Sequence, residues 1–219
     1  ILPLPYYFNH RMWLDMSGVR TVGLKTRAGL IPDAVDAADV ITSKTRAIVL
    51  VSPNNPGGVE YPAETLRGFY DLCKSRGIAL IVDETYRDFD SREGAPHDLF
   101  TDADWSDTLI QLYSFSKSYC LPGHRLGAII AGRDVVAQLV KVIDNIQICA
   151  PRIGQKALSQ MLPQLAHWRI ENQTEIAARR DAFRAAFAAL PEWSITSDGC
   201  YFGFVRHPYP DRNSAEVAA

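Results

Sequence analysis

Short apolar runs rich in β-branched residues alternate with stretches of helical periodicity along the first part of this chain. Such alternation is typical of strands that form a mainly parallel sheet, with the connecting helices packed against its faces. Four runs are predicted as strands: Ala47 to Ser52, Ile78 to Asp83, Thr108 to Ser114 and Leu126 to Ala131. The fold class is therefore predicted as α/β, a mainly parallel sheet covered by helices.

The connections between these runs carry the signals of turns and helices. The segment PNNPGG after the first run has turn chemistry. Ala63 to Arg76 has apolar residues at helical spacing, and Gly77 is placed as a C-terminal stop. A long helical region, broken by two prolines, is predicted from Asp134 to about Leu190.

The last part of the chain has a different pattern. Trp193 to Thr196 and Tyr201 to Val205 are predicted as a hairpin around the segment SDGC. We therefore assign residues 1–170 to part of a large ligand-binding domain and residues 171–219 to the beginning of a smaller α+β C-terminal domain. Both ends look unfinished, which a fragment of a longer chain would explain.

The charge balance and the cysteine positions limit the kinds of ligand and site that the chain is expected to have. The 23 basic and 25 acidic side chains form no long block of one sign, so the sequence favours a small-molecule ligand over nucleic acid or a membrane surface. The four cysteines are scattered, with no metal-ligand spacing to the histidines, so we expect free thiols and no metal site. No signal peptide or membrane-spanning run is recognised, and a cytoplasmic location is predicted.

Polar side chains follow the predicted strands at the points where the strands end. Ligands of open parallel sheets bind beyond the carboxyl ends of the strands, so these side chains are expected to converge. The set comprises Asn55 after the first strand, Asp83 and Tyr86 after the second, Ser114, Ser116 and Lys117 after the third, and Arg125 just before the fourth.

These groups suit pyridoxal phosphate (PLP), an anionic aromatic cofactor that carries an aldehyde. The Lys117 amine would form a Schiff base, while Asp83 beside the pyridine nitrogen would keep it protonated and make the ring an electron sink. Ser114, Ser116 and Arg125 would hold the phosphate group.

Asn55 and Tyr86 would hydrogen-bond the phenolate oxygen of the cofactor ring. Taken with Lys117 and Asp83, this makes Tyr86 the third candidate catalytic residue. A lysine or an aspartate alone would carry no such prediction, because each is more often a surface or turn residue.

Three ordered motifs also carry a family resemblance. PNNPGG is similar to the turn N-P-x-G, VDETY to D-x-x-Y, and SFSKSYCLPGHRLG to the lysine motif S-x-S-K-x(7)-R-x-G. The chain resembles fold-type I, PLP-dependent aminotransferases of class I/II. The resemblance places Tyr7 where the family stacks an aromatic side chain on the pyridine ring, and it implies a homodimer.

The resemblance also implies a reaction and leaves part of the site outside this sequence. An amino group would pass from an amino acid to a 2-oxo acid through a pyridoxamine intermediate, with Lys117 as general base and acid. Gly57 stands where the family usually has threonine. The family's glycine-rich phosphate loop would precede Ile1, and its arginine for the substrate carboxylate would follow Ala219.

Two alternatives stay open at this point. A PLP-dependent β-lyase would use the same residues and expel a leaving group from the substrate. A non-catalytic aminotransferase-like domain would serve as the ligand sensor of a transcription regulator. The sequence does not identify the amino donor or acceptor.

Overall fold

The computed structural model describes residues 1–219. Its strands are β1 (Leu2–Pro3), β2 (Gly23–Leu24), β3 (Ala47–Val51), β4 (Ala79–Asp83), β5 (Leu109–Ser114), β6 (Gly127–Ile130), β7 (Ser194–Gly199) and β8 (Phe202–Arg206). Four of them form the central sheet, in the order β3-β4-β5-β6. The four predicted strands of the sheet are confirmed, each slightly shorter at its ends.

The register of the sheet brings the strand ends together. Strands β3, β4 and β5 are parallel, and Asp83 at the end of β4 lies between Val51 of β3 and Leu112 of β5. Strand β6 is antiparallel to β5 and pairs Gly127 with Ser114. The chain between β5 and β6 therefore returns to the edge of the sheet at which the parallel strands end.

The chain has seven helices: α1 (Phe8–Met16), α2 (Ala34–Val40), α3 (Ala63–Arg76), α4 (Arg133–Ile146), α5 (Arg152–Met161), α6 (Ala166–Ala188) and α7 (Ser214–Ala218). Helix α3 has the predicted bounds. It ends at Gly77, whose φ of 61° is left-handed, and there the Ile78 N–H donates to the Cys73 carbonyl at 3.0 Å. None of the helices combines the length and apolar character needed to cross a bilayer.

The main core lies between α3 and the parallel strands. Along β3 and β4, every second side chain is fully buried, which is the period expected of a strand that packs one face on a helix. The buried residues at this contact are Ile48, Leu50, Leu80 and Val82 from the sheet and Leu66, Phe69, Tyr70 and Cys73 from α3. Each large apolar side chain buried in this way contributes about 1.5–3 kcal/mol.

The C-terminal hairpin is present, but its turn is displaced from the predicted position. Ser197, Asp198 and Gly199 continue strand β7, and the turn falls on Cys200 and Tyr201, with Cys200 at a φ of 50°. The predicted domain division at residue 170 falls inside α6, a continuous helix of 23 residues. That division stays a prediction.

The hairpin docks on the turn that follows β3. The Ser197 hydroxyl donates to the Gly57 carbonyl at 2.6 Å, and a Cβ added to Gly199 would lie only 1.9 Å from the Gly58 carbonyl oxygen. Gly199 is therefore required for close backbone approach rather than for a turn. This contact sets the hairpin beside the segment that carries Asn55.

Candidate active site

One pocket of about 190 Å³ lies beyond the carboxyl ends of the parallel strands. Every residue proposed from the sequence as catalytic or cofactor-binding is among those that line it. The pocket is lined by Tyr7, Asn55, Asp83, Tyr86, Ser114, Ser116, Lys117 and Arg125, together with Val51, Thr85 and Pro122. The structure thus brings all eight predicted residues to one place.

Asp83 is the buried charged group of the pocket, and its side chain has defined partners on both oxygens. Thr85 donates to Oδ1 through its backbone N–H at 3.0 Å and its hydroxyl at 2.7 Å. Nε2 of His10 donates to Oδ2 at 3.1 Å. Burial alone raises the pKa of Asp83, but the hydrogen bonds from His10 and Thr85 outweigh it and hold the pKa below its usual value. Asp83 is therefore a carboxylate at neutral pH.

His10 and Thr85 were not found by sequence reasoning. Thr85 lies two residues after Asp83, where a side-chain oxygen commonly accepts from the backbone, so an aspartate turn would have indicated it. His10 lies in α1, three residues after Tyr7 and edge-on to its ring at 5.3 Å. Helical spacing alone would have placed His10 beside Tyr7, but its contact with Asp83 depends on the tertiary fold.

Tyr86 is held by an amide and by aromatic neighbours. Nδ2 of Asn55 donates to the Tyr86 hydroxyl at 3.3 Å. The rings of Tyr201 and Phe202, from the C-terminal hairpin, meet the Tyr86 ring edge-on at 5.5 and 5.1 Å. Burial raises the pKa of Tyr86 more than the hydrogen bond from Asn55 lowers it, so the phenol keeps its proton at neutral pH and can donate a hydrogen bond.

Lys117 lies on the loop that connects β5 to β6. Its Nζ is 5.8 Å from the centre of the Tyr86 ring. On the same loop the Ser116 N–H donates to the Ser114 hydroxyl at 3.2 Å. Arg125, with a left-handed φ of 52°, donates from Nη1 to the Pro122 carbonyl at 2.7 Å and remains exposed at the pocket.

The pocket has two chemically distinct parts. Ser114, Ser116 and Arg125 supply hydroxyl and guanidinium donors, which suit an anionic group such as a phosphate. Asp83 supplies a carboxylate, which suits a protonated ring nitrogen, and Tyr86 with Asn55 supplies donors for an oxygen. The arrangement can therefore hold a flat, anionic ligand, with the amine of Lys117 in the same pocket.

Comparisons with known proteins identify the family of this chain. The sequence matches the family of class I and II aminotransferases over residues 1–215. It is 31% identical to the aromatic aminotransferase ISS1 of Arabidopsis thaliana, over 97% of this chain and 55% of that protein. It is also 31% identical to the arginine–pyruvate transaminase AruH of Pseudomonas aeruginosa, over 75% of this chain and 43% of that protein.

Solved structures share the fold. An aspartate aminotransferase of Thermus thermophilus, a mutant form, superposes with a TM-score of 0.82 at 23% identity, over 93% of this chain and 56% of the other. The N-succinyldiaminopimelate aminotransferase of Mycobacterium tuberculosis has a TM-score of 0.83 at 20% identity, over 93% of this chain and 53% of the other. The chain spans about half the length of the relatives it matches. By its sequence match over residues 1–215 and its identity to these relatives, this chain belongs to the class I and II aminotransferase family.

Proposed function

We propose that the full-length protein is a PLP-dependent aminotransferase that moves an amino group from an amino acid to a 2-oxo acid. The observation that carries this proposal is the convergence of Lys117 with Asp83, Tyr86 and Ser114 in one pocket, from segments that are distant in sequence. When bound, PLP supplies a ring that accepts the electron pair left on the substrate α-carbon.

Asp83 fits the partner of a pyridine nitrogen because it is buried and ionised. A carboxylate there would keep the ring nitrogen protonated, and the bonds from His10 and Thr85 hold that carboxylate in a fixed orientation. Tyr7, which also lines the pocket, would stack on the ring. Asn55 and the protonated Tyr86 hydroxyl would donate to the ring's phenolate oxygen.

Ser114, Ser116 and Arg125 would hold the phosphate group. All three border the pocket, and the antiparallel return of β6 brings Arg125 close to Ser114, since the adjacent residue pair is Ser114 with Gly127. Charge-assisted bonds from a guanidinium to a phosphate are stronger than neutral hydrogen bonds.

Lys117 would bind the cofactor covalently through Nζ and move protons during the reaction. Its Nζ amine, when free, would take the proton from the substrate α-carbon as a base and would later return a proton as an acid. We further propose a homodimer located in the cytoplasm, since scattered cysteines without a disulfide pattern are typical of proteins in a reducing compartment.

The experiment is a single half-reaction with the full-length protein. Purified enzyme is given an excess of amino donor and no acceptor, with aromatic, acidic and basic amino acids and an amino acid that carries a β leaving group in turn. An aminotransferase releases one 2-oxo acid per site and no ammonia. Repeated turnover with release of ammonia would instead identify a β-lyase, and binding without any product would identify a sensor domain. Lys117→Ala is the control, and it should give no product.

A further inference from the structure

A second cluster of hydrogen bonds lies beside the pocket and centres on Asp88. Asp88 lies two residues after Tyr86 in the short 3₁₀ turn Arg87–Phe89, and its side chain is only 6% exposed. It accepts a bond from the Ser118 hydroxyl at 2.6 Å and one from Nη1 of Arg169 at 2.8 Å. The Tyr113 hydroxyl is its third donor. We call Asp88, Tyr113, Ser118 and Arg169 the Asp88 network.

The Asp88 network connects directly to the residues of the pocket. Ser118 follows Lys117 in the chain, and Tyr113 precedes Ser114. Ser118 is completely buried, and its carbonyl accepts a bond from Nδ2 of Asn172 in α6 at 3.0 Å. Ser118, the residue next to Lys117, is therefore held from two directions, by Asp88 through its hydroxyl and by helix α6 through its carbonyl.

The buried carboxylate of Asp88 depends on all of its hydrogen-bond donors. A buried carboxylate is stable only where donors compensate its lost hydration, and Asp88 has a guanidinium and two hydroxyls. Burial and the adjacent Asp88 raise the pKa of Tyr113, so its hydroxyl stays protonated and donates. If Ser118 moves, Asp88 loses a donor, and this penalty resists displacement of the loop.

We propose that Asp88 is a positioning residue for Lys117: it fixes the backbone of the lysine loop against β5 and α6. Lys117 has a long flexible side chain, so the position of its Nζ depends on where residues 117 and 118 are held. The inference rests on the proposed function in so far as Lys117 is the reacting amine. None of the four residues of the Asp88 network belongs to the set that lines the pocket.

Asp88 could also act only by stabilising the fold as a whole, and Asp198 provides a matched control for that explanation. Asp198 in β7 is also a nearly buried carboxyl group, 8% exposed, and it is also paired with an arginine of α6. Arg184 donates to it through Nε at 2.9 Å and Nη2 at 2.6 Å. Asp198→Asn therefore removes a comparable carboxylate that pairs with an arginine of the same helix, without altering a hydrogen bond to the lysine loop.

The experiment compares Asp88→Asn, Asp198→Asn and the unaltered full-length protein by hydrogen exchange, first without and then with cofactor. An asparagine has one acceptor oxygen for three donors, so we expect exchange in residues 115–120 to be at least about tenfold faster in Asp88→Asn. Asp198→Asn should accelerate exchange in the hairpin and leave residues 115–120 unchanged. Ser118→Ala is a second variant, which removes one donor and keeps the pair of Asp88 with Arg169.

Kinetics supply an independent readout. Misplacement of an amine by about 1 Å costs on the order of 100-fold in rate, so Asp88→Asn should lower kcat by that factor while KM for the amino donor stays within about twofold. Asp198→Asn should keep kcat within about threefold.

Unchanged exchange at residues 115–120 in both Asp88→Asn and Ser118→Ala would overturn the proposal, as would equal effects of Asp88→Asn and Asp198→Asn on exchange and kcat. Exchange in the cofactor-free protein does not depend on the reaction. A failed aminotransfer assay would therefore reject the proposed function, whereas only the exchange data decide the role of Asp88 in holding the loop.

Discussion

Asp83 owes its charge to the residues around it. Burial by itself would favour the neutral acid, yet Thr85 and His10 donate to its two oxygens and reverse the direction of the shift. The sequence predicted Asp83 from its position after a strand. It did not predict His10, because the two residues are 73 positions apart in the sequence and meet only in the tertiary fold.

The first prediction concerns the effect of the Asp83 charge on kcat. Asp83→Asn keeps the shape of the side chain and removes the negative charge. We expect the variant to retain a substantial share of bound cofactor, since the phosphate contacts are intact. Its kcat should fall by orders of magnitude, on the scale of several kcal/mol in the barrier. Cofactor content and kcat, measured on the same preparation, check this, and a variant with normal kcat would contradict the role given to Asp83.

A second prediction concerns pH and stability. The pKa of Asp83 is lower in the folded protein than in the unfolded chain, where it is about 3.9. Its ionised form therefore contributes stability above pH of about 4, and this contribution is lost as the pH falls through the folded value. The free energy of unfolding in urea is measured for wild type and Asp83→Asn between pH 7 and pH 3. The difference between the two free energies should be constant near pH 7 and should shrink below pH of about 4. A difference that grows on acidification would contradict the prediction.

At the scale of elements, local signals predicted the sheet and failed at the hairpin. Ala63–Arg76 was predicted with its observed bounds because apolar spacing and Gly77 both point to the same helix end. The hairpin turn was placed too early because Ser197, Asp198 and Gly199 are all common turn residues. The structure instead uses Gly199 where β7 meets the backbone of Gly58, a requirement that local sequence does not reveal.

The third prediction tests this docking contact. An alanine at residue 199 places its Cβ against the Gly58 carbonyl, so one of the two backbones must move. We expect Gly199→Ala to lower the free energy of unfolding by about 1–3 kcal/mol, as is typical of overpacking. Gly123→Ala is the control, because a Cβ at that position has no heavy atom within 4 Å. Urea unfolding compares the two, and equal stabilities would show that the hairpin does not require the glycine.

At the scale of the whole molecule, the site follows from the order of the strands. Parallel strands β3, β4 and β5 end at one edge, so Asn55, Asp83 and Lys117 meet although the sequence separates them widely. That convergence was predictable from the strand signals and the three motifs. The Asp88 network and the aromatic contacts of Tyr201 with Tyr86 were not, because they depend on how α6 and the hairpin pack against the sheet.

The identity of the lysine that holds the cofactor is the central claim, and covalent labelling tests it most directly. Full-length protein loaded with PLP is reduced with borohydride, digested and mapped by mass spectrometry, with Lys117→Arg treated in parallel. We predict one pyridoxyl group per chain, on Lys117, and no label in Lys117→Arg. A pyridoxyl group on any other lysine, or no label in the unaltered protein, would contradict the account.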